Sequence, residues 1–161
     1  MLTNPRYEMA EIGATELVGA DEQVDQNDYG ASVAITLGDG VRPVSGEILS
    51  FMFYTHTTGS GAVLEPTGTL LILDADPAAS AGDTDLAAAE NLTILGAVNV
   101  EAADWTADAN GARACIVDTP IPFHNLQTLY AVWLHTLATS FNDAGGDDEI
   151  MSMNAWYRRD T

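Results

Sequence analysis

Acidic side chains are the most abundant reactive groups in this sequence, and two segments gather them closely enough to suggest a hard cation. Asp74 and Asp76 stand two apart before Pro77, and Asp143, Asp147, Asp148 and Glu149 crowd one loop. Oxygen ligands of this kind suit Ca²⁺ or Mg²⁺. Neither segment has the spacing of a calcium-binding EF-hand loop, so solvated acidic loops are the preferred reading and no metal is assigned. His56, His124 and His135 follow or end apolar runs at wide separations and read as polar residues at strand ends. Cys115, the only cysteine, lies in the alternation ACIV, where a small thiol is expected to pack in the core. A lone cysteine also excludes an internal disulfide. Ser60, in Gly59-Ser60-Gly61, lacks the strand-elbow-helix context of an esterase nucleophile, and a loop explains it. No carboxylate pair stands out for glycoside hydrolysis, and phosphate-cradling glycine patterns are missing. The chain is therefore read as non-enzymatic, with no cofactor.

Binding is the remaining class of chemistry. Trp133 in YAVWLH and Trp156 in NAWYRR read as sheet residues whose bulk fills the space between sheets, whereas Trp105 in AADWTAD sits among polar residues and is expected to be exposed. A stacking platform for sugars is the alternative use of these rings. Asn91-Leu92-Thr93 matches the glycosylation sequon, a short pattern that chance supplies often. Arg6, Arg158 and Arg159 place three of the five basic residues at the two chain ends. Locally basic ends on an acidic body can dock on acidic partners or on a neighbouring subunit, with arginine supplying bidentate contacts; solvated terminal arginines are the equal alternative.

Charge narrows the partners. The sequence has 24 Asp and Glu against five arginines and no lysine, a formal net charge of −19. Residues 7 to 157 alone carry 23 acids and two arginines, a net of −21. Such a field repels phosphate backbones and anionic lipid, which argues against nucleic-acid and membrane partners. It also works against the compact fold, and salt relieves it as the Debye length falls from about 10 Å at 0.1 M to about 3 Å at 1 M. Excess acid without lysine resembles the proteins of halophiles, although a GC-rich genome would also favour arginine and alanine over lysine. The opening MLTNPRYEMAEIG lacks the basic-then-apolar order of a signal peptide, and no apolar run reaches bilayer length.

The elements that must hold these residues are strands. Residues 1 to 30 show no clean period and read as an extended N-terminal arm, with a β-sandwich domain over 31 to 161. Within it, Ser32 to Leu37 alternates and stops at Gly38-Asp39-Gly40. Glu47 to Thr55 (EILSFMFYT) places Leu49, Phe51 and Phe53 on one face and Ile48, Met52 and Tyr54 on the other, as a central strand covered on both sides would. Thr69 to Leu73 ends before Pro77, and LAAAE inside PAASAGDTDLAAAEN predicts a turn or two of helix. Thr93 to Val100 and Ala112 to Val117 read as a hairpin with a wide connection, and Leu129 to Leu134 and Ile150 to Tyr157 complete about seven strands. Short strands divided by Gly, Asp and Pro, with no alternating helices, predict an all-β, antiparallel, jelly-roll-like sandwich.

The arm, the sandwich and the terminal arginines, with the closing run from FNDAGGDDE into IMSMNAWYRRDT, together resemble the small decoration or cement proteins of tailed-virus capsids. That resemblance spans the whole chain and implies a homo-oligomer, a trimer, on the virion surface, with the major capsid protein as partner. By the same resemblance the arm and Arg158 and Arg159 bind the shell, exposed aromatics such as Trp105 make oligomer contacts, and the acidic loops face solvent. Arg6, Tyr7, Trp105, Arg158 and Arg159 are thus the expected partner-binding residues. A carbohydrate-binding module or viral adhesin on the same sandwich is the alternative.

Overall fold

The computed structural model describes residues 7–57, 64–86, 94–108, 111–142 and 149–160, the side chains of Tyr7, Asp108, Val117 and Asp118 excepted. The described residues form nine strands: β1 (Tyr7–Val18), β2 (Val33–Thr36), β3 (Val44–Thr57), β4 (Gly68–Leu73), β5 (Ile94–Val100), β6 (Trp105–Asp108), β7 (Gly111–Leu126), β8 (Thr128–His135) and β9 (Glu149–Asp160). A single 3₁₀ turn, Ala102–Asp104, leads into β6. Two antiparallel sheets result, in the orders β1-β9-β3-β7-β6 and β2-β8-β4-β5.

Apart from β6, each early strand pairs with a late one: β1 with β9, β2 with β8, β3 with β7, and β4 with its neighbour β5. The chain is thus a two-stranded ribbon that doubles back between β4 and β5. Its strand pairs alternate between sheets, and β3–β9 and β4–β8 contacts seal the wrap. This is the jelly-roll arrangement, and the all-β antiparallel sandwich expected from the sequence is the observed fold.

Between the sheets lies one large apolar core. Phe51 and Phe53 of β3 stack with centroids 6.1 Å apart, and Phe53 meets Trp133 of β8 at 6.2 Å. Leu70 and Ile72 of β4 and Met153 and Ala155 of β9 close around them. A second, smaller cluster of Leu73, Ala79 and Val132 sits with Tyr29, Leu86 and Tyr130 where residues 77–86 fold over the outer face of the four-stranded sheet.

Several expectations shift here. β3 is central, as read, but Leu49 is a bulge relative to β9, so Ile48 joins Phe51 and Phe53 on the core face while Leu49, Met52 and Tyr54 are only half-buried. Besides β3, β7 pairs with β6, a four-residue strand that the sequence reading passed over and that takes the hairpin position. β5 belongs to the other sheet, so the expected hairpin is not formed. The helix expected in LAAAE falls largely on 87–93, outside the described residues.

Residues 7–30, expected as part of an arm, are extended but lie within the sandwich. β1 pairs with β9 from Tyr7 to Val18, and Ile12, Leu17, Val18 and Val24 are buried. Register shifts at residues 13–14 and at Leu17 break the alternation, which is why the segment shows no period. Past β1, Val24 bridges Phe141, and the Gly30 N–H donates to the Trp133 carbonyl at 2.8 Å.

β4 approaches β8 so closely at Gly68 that a Cβ there presses on the Leu134 carbonyl and comes within 2.5 Å of the Trp133 ring. Neither backbone nor a core indole yields easily. Gly68→Ala is expected to cost about 1–3 kcal/mol, read as a lower urea midpoint at unchanged slope.

Candidate functional site

The predicted contact residues do not gather into one site. Arg6 lies outside the described residues, and Tyr7 opens β1 opposite Asp160. Trp105 is buried, at 8% exposure, and its indole N–H donates to the Pro66 carbonyl at 2.8 Å. The polar neighbours that suggested exposure face outward while the ring turns into the sandwich, so Trp105 is a core residue and offers no platform. Arg158 is engaged with Glu47 at 2.9 Å, directly across the β9–β3 ladder. The Arg159 guanidinium grips Glu8 across β1–β9, its Nε donating at 2.9 Å, and this contact raises its pKa above the ordinary arginine value. The two C-terminal arginines therefore tie strands of one chain together. Trp156, expected between the sheets, lies half-buried on the outer face of the five-stranded sheet, because Ala155 and Tyr157 take the inward positions. Cys115 is exposed on the same face, since the inward phase of β7 falls on Ala112 and Ala114.

A groove of about 280 Å³ opens between the sheets where β6 no longer covers β7, lined by Asp74, Leu95, Pro122, Phe123, His124 and Leu126. Its polar lip is built by a bulge: Val44 pairs Leu126 and Gly46 pairs Phe123, leaving His124 and Asn125 opposite Ser45 alone. Asn125 takes a left-handed conformation (φ 55°). Its N–H donates to the Ser45 Oγ at 2.9 Å, and the same Oγ lies 2.9 Å from His124 Nδ1. A hydroxyl beside an imidazole is one ingredient of a nucleophilic centre, but this hydroxyl satisfies the N–H that the bulge releases from the ladder. Pro120 and Pro122, which have no N–H to give, blunt the uncovered β7 edge against another strand.

The strongest polar features are internal. Asn142, also left-handed (φ 50°), spreads its amide N–H groups over the carbonyls of Gly19, Glu22 and Glu149 at 2.9 to 3.1 Å, and its Oδ1 accepts from the Glu149 N–H at 2.6 Å. One side chain thus joins the end of β1, the following turn and the start of β9. Nearby, His135 ends β8 fully buried, at 0% exposure, against Phe141. Its Nε2 lies 2.8 Å from the Thr139 carbonyl, its Nδ1 is buried without a partner among the described residues, and its backbone pairs with Asn27 and Asp28. Burial holds the imidazole below its ordinary pKa, outweighing the Thr139 carbonyl and the carboxylates of Asp25 and Asp28, which pull the other way.

The three histidines lie on different strands: His56 near the end of β3, His124 at the far end of β7, and His135 in the other sheet. Among the described residues no three His, Cys, Asp or Glu side chains are placed to hold a metal ion, and no helix is long and apolar enough to cross a membrane. Ser60, the sequon and the acids at 143–148 lie outside the described residues. No family model matches this chain, and no curated protein matches it either.

Two expected outcomes follow from these internal polar groups. As pH falls below about 6.5, the ordinary histidine value, the unfolded chain takes up a proton that folded His135 resists, so its contribution is complete above that value and declines below it. Thermal midpoints of the wild type should fall between pH 7.5 and about 5.5 relative to those of His135→Gln; parallel curves would refute this. Asn142→Ala is expected to cost roughly 2–3 kcal/mol in chemical denaturation, because three carbonyls and one N–H lose their partner.

Proposed function

We propose that this chain is a non-enzymatic structural protein that decorates the outside of a viral capsid as a homo-oligomer, with the major capsid protein as its partner. The observation that carries the reading is the jelly-roll strand order in a chain of net charge −19. Jelly rolls serve virus coats, lectins and cupins alike, so fold alone does not choose among them. Two features favour the first. Trp105 is turned into the core, which removes the aromatic best placed for a sugar platform, and among the described residues no three His, Cys, Asp or Glu side chains gather as a cupin gathers them around a metal. An acidic body facing water also keeps a decorated particle from sticking to nucleic acid or to its neighbours.

With Arg158 and Arg159 engaged inside the chain, docking falls to Arg6 and the β1 edge that follows it, where Met9 is 58% exposed. Residues 7–30 are part of the fold, so the informative deletion is residues 1–6. The truncated protein is expected to remain folded but to lose binding to shells of its own virus lacking it, as seen by electron microscopy. Full occupancy by the truncated protein removes Arg6 as the anchor, and failure of the intact chain to bind those shells removes the reading itself. Tryptophan quenching by particular sugars would favour the carbohydrate-binding alternative. In a saline setting, thermal stability should rise by several degrees between low-salt buffer and molar NaCl as self-repulsion is screened; no gain would count against a halophilic origin.

A further inference from the structure

The two outer faces of the sandwich differ. The outer face of the four-stranded sheet is covered by residues 77–86, which build the second buried cluster there. Neither buried cluster among the described residues lies on the outer face of the five-stranded sheet. There β3 and β9 present Met52, Tyr54 and Trp156, all half-buried, with Cys115 exposed beside Met52 on β7. This face carries both signs: by strand register its described charged side chains are Glu11, Glu16, Glu47 and Asp160 against Arg113 and Arg158, a net of −2 on a chain of net −19.

Strand register orders these groups into rows. Glu16 of β1, Ser152 of β9, Tyr54 of β3 and Arg113 of β7 form one row across the sheet. Glu11, Trp156 and Ser50 form a second, and Met9, Arg158 and Glu47 a third. Rotating the sheet by half a turn about an axis parallel to its strands keeps each row level and exchanges β1 with β7 and β9 with β3. Arg113 then faces Glu16 of the second copy, Trp156 faces its Ser50, and Arg158 faces its Glu47. The first and third rows are complementary to themselves, which is what an isologous contact requires, and the second sets Trp156 against a small polar residue.

We infer that the outer face of the five-stranded sheet is an interface with a second copy of this chain, related by a two-fold axis parallel to the strands. Two like-charged chains approach at least cost where each presents both signs and an apolar centre, and this face meets that condition. At ~4.8 Å between strands and ~3.3 Å per residue, four strands of about eight residues give roughly 500 Å² on each copy. The total of roughly 1,000 Å² is at the lower end for a specific association. The inference rests on the homo-oligomeric reading above and changes its expected symmetry from three-fold to two-fold, so an even number of copies is expected.

The test uses the full chain, with circular dichroism confirming that each variant is folded, and light scattering and sedimentation to read its mass. The wild type is expected to form a dimer or a multiple of it. Trp156→Glu and Met52→Glu should each weaken association at least tenfold. At the lowest salt that keeps the protein folded, Arg113→Glu should weaken it as well, and Arg113→Glu combined with Glu16→Arg should restore it, which no merely structural role of either residue produces. An oligomer whose mass all these variants leave unchanged overturns this interface and leaves the homo-oligomer reading standing, with another surface responsible. A wild type that is monomeric at every salt and protein concentration overturns both.

Discussion

Because β1, among the described strands, pairs only with β9, and β9 in turn with β3, the registration of these two strands decides whether the five-stranded sheet closes over its core. Residues Tyr7 and Asp160 face each other at one end of that ladder and Val18 and Met151 at the other. Along it, the inward residues Ile12, Leu17 and Val18 meet Met151, Met153 and Ala155, so sheet closure and core formation are one event. At one end Glu8 holds Arg159, and at the other Asn142 joins the carbonyls of Gly19, Glu22 and Glu149. Cross-strand pairs of this kind contribute little singly, but they fix register, and a slip of one residue would turn every inward side chain of β1 to solvent.

The scarcity of arginine gives these pairs their weight. A body with a net of −21 has few cations to neutralise its own acids. Arg158 and Arg159 both sit on β9, the strand flanked by β1 and β3, where each reaches a carboxylate on a neighbouring strand. Placed at solvated ends they would screen little. Placed across ladders, they oppose repulsion at the strands whose separation would open the sheet. Apolar burial of Phe51, Phe53 and Trp133 supplies the driving force, and the arginines direct it to one register.

Strands with an uninterrupted period were legible in the sequence. β2, β4, β8 and the central position of β3 follow from alternation and turn residues, and from them the sandwich. What escaped depended on breaks in that period. β1 carries two register shifts, so its apolar residues read as an extended arm, and β3 carries one, which moved Ile48 to the face assigned to Leu49. β6 is four residues long and contains the tryptophan that looked exposed; its burial depends on the Pro66 carbonyl, which is remote in sequence. Cys115 and Trp156 were misplaced because an apolar run does not say which alternate residues face inward. Ser45, His124 and Asn125 come together at a bulge between strands, and no spacing within one segment signals such a meeting.

The difference between the two outer faces bears on what solvent and salt do to this protein. On the four-stranded sheet, residues 77–86 cover Leu73 and Val132, so that face is complete within one chain. On the five-stranded sheet, Met52, Tyr54 and Trp156 are half-buried, and neither buried cluster among the described residues covers them. Screening weakens the repulsion between acidic bodies over distances longer than the Debye length, while contacts between apolar side chains persist or strengthen in salt. Salt therefore relieves the self-repulsion of folding an anionic chain, and the same screening lowers the electrostatic cost for a second anionic chain to approach the face where arginines and apolar side chains are gathered.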